Sequence, residues 1–222
     1  SATWFPLLLI LGSTQMIAAF KRSYQFEHVF KSAFCIGLLP MLYAPALPLV
    51  LIVPVTLVLY RRTLREAVVA AAGLLLPFFI CSVVWWGLGD SFGLMGHELL
   101  AGTTLGEDTA LPAFFGEKGV WSKVYIGLFA ALTLCSAIII LRTLSSLRTR
   151  AKKIHIHFLW LLLLCLISLL LPGNTIASLG VLAVPCCVTV SAFFIRYRGW
   201  LPLAIYTVLT ALMLYINLFP GV

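Results

Sequence analysis

The stretch of sequence that decides the fold is residues 32–60, SAFCIGLLPMLYAPALPLVLIVPVTLVLY, which contains 29 uncharged residues and four prolines. Basic residues flank it on both sides: Lys21, Arg22 and Lys31 precede it, and Arg61, Arg62 and Arg65 follow it. Because the positive-inside rule places both clusters in the cytoplasm, the stretch must cross a membrane an even number of times. We therefore predict two helices, near residues 24–43 and 46–60, with a turn at Tyr43-Ala44-Pro45.

The second of these helices is short for a membrane span. A 15-residue α-helix reaches about 22 Å, whereas the hydrocarbon core of a bilayer is about 30 Å thick. We expect local thinning of the bilayer, snorkelling by Arg61 and Arg62, or protection of the short helix by its neighbours.

The composition of the whole chain supports a membrane protein. Of its 222 residues, 62% are hydrophobic and 10% are charged, and the mean hydropathy is +1.10. Soluble domains contain about a quarter charged residues, and a globule of this size could not hide so many apolar side chains. Soluble enzyme folds, disordered tails and nucleic-acid modules are therefore excluded, and the net charge of +8 reflects topology and not nucleic-acid binding.

Six further apolar runs are long enough to be spans. They are residues 3–20, 66–87, 122–141, 154–171, 176–195 and 201–219. The predicted fold is therefore all-α: a single polytopic transmembrane helix bundle over residues 1–222, with about eight spans and both visible ends outside.

The distribution of charge gives the orientation. All lysines and arginines except Lys118 and Lys123 fall in the predicted cytoplasmic loops. The long connection 87–121 holds most of the acids and is predicted to lie outside, with short interfacial helices in it. This pattern is typical of a multi-pass protein of the bacterial inner membrane.

The long outer loop offers the candidate catalytic residues, which are His97, Glu98, Glu107 and Asp108. Carboxylates close together bind hard cations, and a histidine beside them could act as a general base. The alternative is that all four are ordinary solvated loop charges, because no H-E-x-x-H, Ser-His-Asp or P-loop pattern is present. The sequence leaves enzymatic activity open.

Two charged clusters lie on the predicted cytoplasmic side. The interfacial cluster consists of Arg61, Arg62, Arg65 and Glu66, where an acid in the first helical turn suits the helix dipole and neighbouring arginines neutralise it. The basic loop consists of Arg142, Arg148, Arg150, Lys152 and Lys153. We interpret this loop as a topology determinant that attracts anionic headgroups; the alternative is a docking site for a partner protein.

The membrane interior is predicted to be chemically mild. No Lys, Arg, Asp or Glu lies in the central turns of the spans, which argues against an ion-coupled transporter. The six cysteines are interpreted as small buried hydrophobes and not as disulfides or metal ligands, so no cofactor or metal is expected. His155 and His157 are expected at the cytoplasmic interface.

Four motifs carry a resemblance to a known family. They are Phe30-Lys31-Ser32-Ala33-Phe34, Leu42-Tyr43-Ala44-Pro45, Arg61-Arg62-Thr63-Leu64-Arg65-Glu66 and Gly73-Leu74-Leu75-Leu76-Pro77-Phe78-Phe79. In order and spacing they resemble a family of uncharacterised bacterial multi-pass inner-membrane proteins, clearest over residues 1–90. The resemblance implies further helices before Ser1 and supplies no catalytic residues.

Three functions fit these features. The first is a non-enzymatic subunit or scaffold of an envelope complex, with a membrane-protein partner. The alternative is a membrane enzyme acting on a lipid-linked substrate at the outer face, of the glycosyltransferase or polymerase type. A second alternative is a transporter of a neutral or lipidic solute, which would require internal repeats and a site at the bilayer midplane.

Overall fold

A computed structural model of the protein describes residues 4–19, 25–101, 119–171, 176–197 and 199–218. These residues form nine α-helices and one 3-10 helix, and no strand occurs among them. The α-helices are α1 Trp4–Ala18, α2 Phe26–Leu42, α3 Ile52–Tyr60, α4 Leu64–Gly87, α5 Leu94–Ala101, α6 Val120–Thr143, α7 Thr149–Leu169, α8 Ile176–Arg196 and α9 Trp200–Leu218; the 3-10 helix Ala44–Leu51 lies between α2 and α3. The predicted all-α class is confirmed.

In the part of the chain that the structure describes, four helices are long and apolar enough to cross a membrane: α4, α6, α7 and the Leu179–Arg196 part of α8. Shorter apolar helices are Trp4–Ala18, Ala44–Tyr60 and Pro202–Ile216. Length and composition therefore indicate a membrane protein.

The chain divides into two compact units. The first unit contains residues 1–110 and 149–185, and the second unit contains residues 111–148 and 186–222. Each unit has its own helix contacts.

In the first unit, α2 packs closely against α4. A Cβ atom added to Gly37 would lie 2.8 Å from the carbonyl oxygen of Leu74 and 3.1 Å from its Cα. A Cβ atom added to Gly73 would lie 3.0 Å from both the Cβ of Ala33 and the carbonyl oxygen of Phe30. The two glycines thus let the backbones approach closely.

The stretch 32–60 forms two helical segments, as predicted. The helix α2 ends at Leu42, Tyr43 is extended with φ −153° and ψ 95°, and a new helix begins at Ala44. We call residues 44–60 the broken helix, because the 3-10 helix runs directly into α3.

The first half of the broken helix differs from the sequence prediction of a plain α-helix. Pro45 and Pro48 lie within it, and a proline lacks the N–H of an α-helical bond and clashes with the carbonyl four residues earlier. A 3-10 helix rises about 2.0 Å per residue and an α-helix about 1.5 Å, so its eight and nine residues together reach about 30 Å. The 3-10 winding therefore makes the broken helix longer than a regular α-helix of the same residues would be.

The helix α7 runs antiparallel to the broken helix. Near the end of α7, the hydroxyl of Ser168 donates a hydrogen bond to the carbonyl oxygen of Pro45, at the start of the broken helix. The later part of the broken helix, α3, also contacts α7. The beginning of α7 therefore lies toward Tyr60, at the opposite end from Pro45.

In the second unit, α6 packs against the later part of α8. The side chains of Leu132, Val190 and Phe193 form a small buried cluster, and the hydroxyl of Ser136 donates to the carbonyl oxygen of Thr189. The Trp121 and Tyr215 rings are 5.7 Å apart, so the start of α6 meets the end of α9.

The cysteines follow the prediction only in part. All six are free, which agrees with the absence of disulfides, and Cys35, Cys165 and Cys186 are buried. Cys135 and Cys187 are exposed, so the prediction that all six are buried was wrong for these two. A thiol on a lipid-facing helix surface needs no protein burial, because it behaves as a small apolar group.

Candidate functional site

The interfacial cluster is built on a sharp corner between α3 and α4. The backbone of Arg61 is left-handed, with φ 53° and ψ 51°, and the N–H of Arg62 donates to the carbonyl oxygen of Leu57 over 3.0 Å. The N–H of Arg61 donates to Val58, also over 3.0 Å. These bonds form a Schellman motif, in which glycine usually takes the left-handed position. An arginine there costs about 1 kcal/mol of backbone strain. The position therefore holds a charged residue although its backbone conformation favours glycine.

The helix α4 begins with a capping box. The N–H of Thr63 donates to Oε2 of Glu66 over 3.2 Å, and the N–H of Glu66 donates to the Thr63 hydroxyl over 3.5 Å. This reciprocal pair satisfies two backbone N–H groups at the start of the helix. Glu66 is thereby fixed in the first turn, where the helix dipole favours an acid.

The carboxylate of Glu66 also joins three helices. It is 1% exposed, its Oε1 lies 3.1 Å from Nη1 of Arg62, and the N–H of Gln25 donates to the same oxygen over 3.4 Å. The end of α3 and the starts of α2 and α4 therefore meet at one buried, charge-paired group. Arg61 and Arg65 are exposed, so the four predicted residues divide into an internal pair and two outward cations.

The basic loop is more helical than the sequence prediction. Three residues of the basic loop lie in the first turns of α7, because that helix begins at Thr149. They are Arg150, Lys152 and Lys153. Arg142 lies in the last turn of α6, and Arg148 lies in the short connection. A helix N-terminus disfavours cations, so Arg150, Lys152 and Lys153 do not stabilise α7, whereas Arg142 at the C-terminal end of α6 suits the helix dipole.

The long connection 87–121 contains one short helix in its described part, α5. The Phe92 ring lies 6.2 Å from that of Phe79, and Gly96 lies beside the ring of Phe78, so α5 packs back along α4. His97 and Glu98 are both exposed on α5. Glu107 and Asp108 lie outside the described residues, so these four candidates are not brought together within the described part of the chain.

His157 is a buried group that the sequence prediction placed at an interface. Its side chain is 0% exposed, and neither ring nitrogen has a hydrogen-bond partner among the described residues. It lies on the same face of α7 as Leu161, Leu164 and Ser168. This face packs against the broken helix, where Ser168 donates its hydrogen bond. That helical spacing was visible in the sequence and could have predicted the burial.

The described residues contain no group of three or more histidine, cysteine or acidic side chains that could hold a metal ion. No family model matches the chain, and comparisons with curated proteins and with solved structures found no match. The functional argument therefore rests on the residues and their geometry.

Proposed function

We propose that this chain is a multi-pass inner-membrane protein that acts as a non-catalytic subunit or scaffold of an envelope complex. The observation that carries the proposal is how the buried polar side chains are used. The hydroxyls of Ser32, Ser136 and Ser168 each donate to the backbone carbonyl of another helical segment. The one acid buried among the described residues, Glu66, joins three helix ends.

This use of polar atoms favours a scaffold over an enzyme. A catalytic site requires polar groups that converge on an accessible cavity. Here the hydroxyls of Ser32, Ser136 and Ser168 are used in helix packing. The exposed pair His97 and Glu98 belongs to no group of three or more histidine, cysteine or acidic side chains among the described residues.

The proposal includes about eight membrane crossings. The broken helix reaches about 30 Å, the thickness of the hydrocarbon core, so a 17-residue apolar segment is long enough to span. Its antiparallel contact with α7 fits two neighbouring crossings. If the interfacial cluster lies on the cytoplasmic side, Pro45 lies at the outer face and the 87–121 loop lies outside. Membership of the inner-membrane family that the motifs resemble is part of the same proposal.

Co-purification tests the scaffold role. The tagged full chain would be crosslinked in cells and extracted in a mild detergent, with an unrelated tagged multi-pass protein as control. We expect one or more envelope proteins in fixed stoichiometry that the control does not capture. Recovery of the chain alone would contradict the proposal.

An envelope-glycan measurement tests the enzyme alternative. Alanine replacement of Glu98, Glu107 and Asp108 together removes the candidate acids of the outer loop. We expect glycan composition to stay unchanged, because a scaffold does not use these carboxylates in chemistry. A loss of one glycan class with normal amounts of the variant protein would favour the enzyme.

A further inference from the structure

A groove of about 140 Å³ lies between α1 and α2. It is lined by Leu11, Gln15, Phe30, Lys31, Phe34 and Cys35. The Phe30 and Phe34 rings stack 6.3 Å apart and form an apolar wall. Leu11 is 43% exposed, so the groove opens on the outside of the helix pair.

The groove itself is lined almost entirely by apolar atoms, and the polar groups of Gln15 and Lys31 border it at one end, called the polar end here. Gln15 and Lys31 lie at the polar end, where Oε1 of Gln15 is 2.7 Å from Nδ1 of His28. One turn further along the helices, Leu11 and Cys35 line the apolar end. A ligand that fits this gradient has a polar head and a flexible hydrocarbon chain lying parallel to the helices.

The ammonium group of Lys31 is the group at the polar end that can hold an anionic head. The ammonium group of Lys31 is half exposed and pairs with Glu27 over 2.6 Å, and a lysine has three N–H donors. An exposed ion pair of this kind is weak, so a phosphate can share or replace the carboxylate.

We propose that this groove binds one anionic diacyl phospholipid of the membrane, with its phosphate at Lys31 and an acyl chain along Phe34 and Leu11. The lysine supplies selectivity for the anionic head, and the phenylalanine wall supplies the surface for the chain. The site is independent of the scaffold role, because it requires only the helix pair α1 and α2 in a bilayer.

Native mass spectrometry of the delipidated full chain tests the site. Phosphatidylglycerol and phosphatidylcholine with the same acyl chains are added separately in mild detergent, and bound lipid is counted. A cation near an anionic headgroup is worth about a fivefold change in affinity. We expect the first phosphatidylglycerol to bind about fivefold more tightly than phosphatidylcholine, and equal binding of the two lipids would overturn the proposal.

Four variants separate the head from the chain. Lys31→Gln should abolish the preference for phosphatidylglycerol, whereas Glu27→Gln should increase it by removing the competing carboxylate. Leu11→Phe should fill the groove and weaken both lipids, and its melting temperature checks folding. The control Lys152→Gln, an exposed lysine on α7, should keep the wild-type preference.

Three results would overturn the site: a Lys31→Gln variant that keeps the preference, a folded Leu11→Phe variant with unchanged lipid affinity, or a Glu27→Gln variant with a reduced preference. A photoreactive amino acid at position 34 provides a second measurement in native membranes. Crosslinks to phospholipid support the proposal, and crosslinks only to another protein show that a partner helix occupies the groove instead.

Discussion

Glu66 stabilises its helix corner through an ion pair with Arg62 and hydrogen bonds from the backbone N–H groups of Gln25 and Thr63. Replacing it with alanine would leave the guanidinium of Arg62, whose side chain is 11% exposed, without its carboxylate. Breaking a buried ion pair from one side costs about 3 kcal/mol. We expect Glu66→Ala to lower the free energy of unfolding by about that amount, measured by reversible unfolding in mixed micelles with increasing dodecyl sulfate.

The matched control for this experiment is Glu27→Gln. Glu27 also pairs with a cation four residues away, but both partners are well exposed, so its loss should leave unfolding unchanged. The conservative variant Glu66→Gln retains an acceptor oxygen for one of the two backbone N–H groups, those of Gln25 and Thr63, and should lie between wild type and Glu66→Ala. Equal effects of Glu27→Gln and Glu66→Ala would show that burial of the pair is not what matters.

His157 tests a different property, the cost of a buried polar ring. A buried donor or acceptor without a partner costs about 1 kcal/mol or more, and both ring nitrogens lack one among the described residues. We therefore expect His157→Leu to raise the free energy of unfolding by about 1 kcal/mol, in the same micelle titration. A loss of stability would show that the imidazole has a partner in the membrane, such as a ligand or a bound water.

At the scale of elements, the packing of α2 on α4 depends on two glycines. In Gly37→Ala the new methyl group would press on the backbone of Leu74, which cannot move aside as a side chain could. We expect a loss of about 1 to 3 kcal/mol, the usual cost of overpacking. Gly127→Ala is the control, because a Cβ there meets nothing within 4 Å, and its better helix propensity should leave stability unchanged or raise it by up to about 1 kcal/mol. Similar losses in both variants would contradict the close-packing argument.

The elements also show what the sequence could and could not predict. Hydropathy and the basic flanks gave two segments in residues 32–60 and the turn at Tyr43, because both signals are local. The 3-10 winding of Ala44–Leu51 was missed, since proline spacing shows where α-helical bonds fail but not which geometry replaces them. The groove between α1 and α2 was missed as well, because it depends on the relative placement of two helices.

The candidate sites follow the same division. The sequence identified Glu66 as an acid in a first helical turn with arginine neighbours, which is a short-range pattern. It could not show that Gln25, far away in the chain, also donates to Glu66. Contacts of this kind form only when separate helices pack, and a single sequence does not show them directly.

For the whole molecule, the proposed topology can be tested with three single cysteines. All six native cysteines lie within helices, so the wild-type chain should react little with a membrane-impermeant maleimide and serves as the control. Ala44→Cys and Ser91→Cys should be labelled in intact spheroplasts, because both positions are predicted to lie outside. Ser145→Cys, between α6 and α7, should be labelled only after permeabilisation.

Ala44→Cys is the deciding variant among the three, because its position depends on whether the broken helix crosses the bilayer. With basic residues held inside at both flanks, a helix that reaches about 30 Å must bring residue 44 to the outer face. If Ala44→Cys were labelled only after permeabilisation while Ser91→Cys was labelled from outside, residues 32–60 would form a re-entrant pair. About six crossings would then remain. The 87–121 loop would still lie outside, because the removal of two crossings does not change the side on which later segments lie.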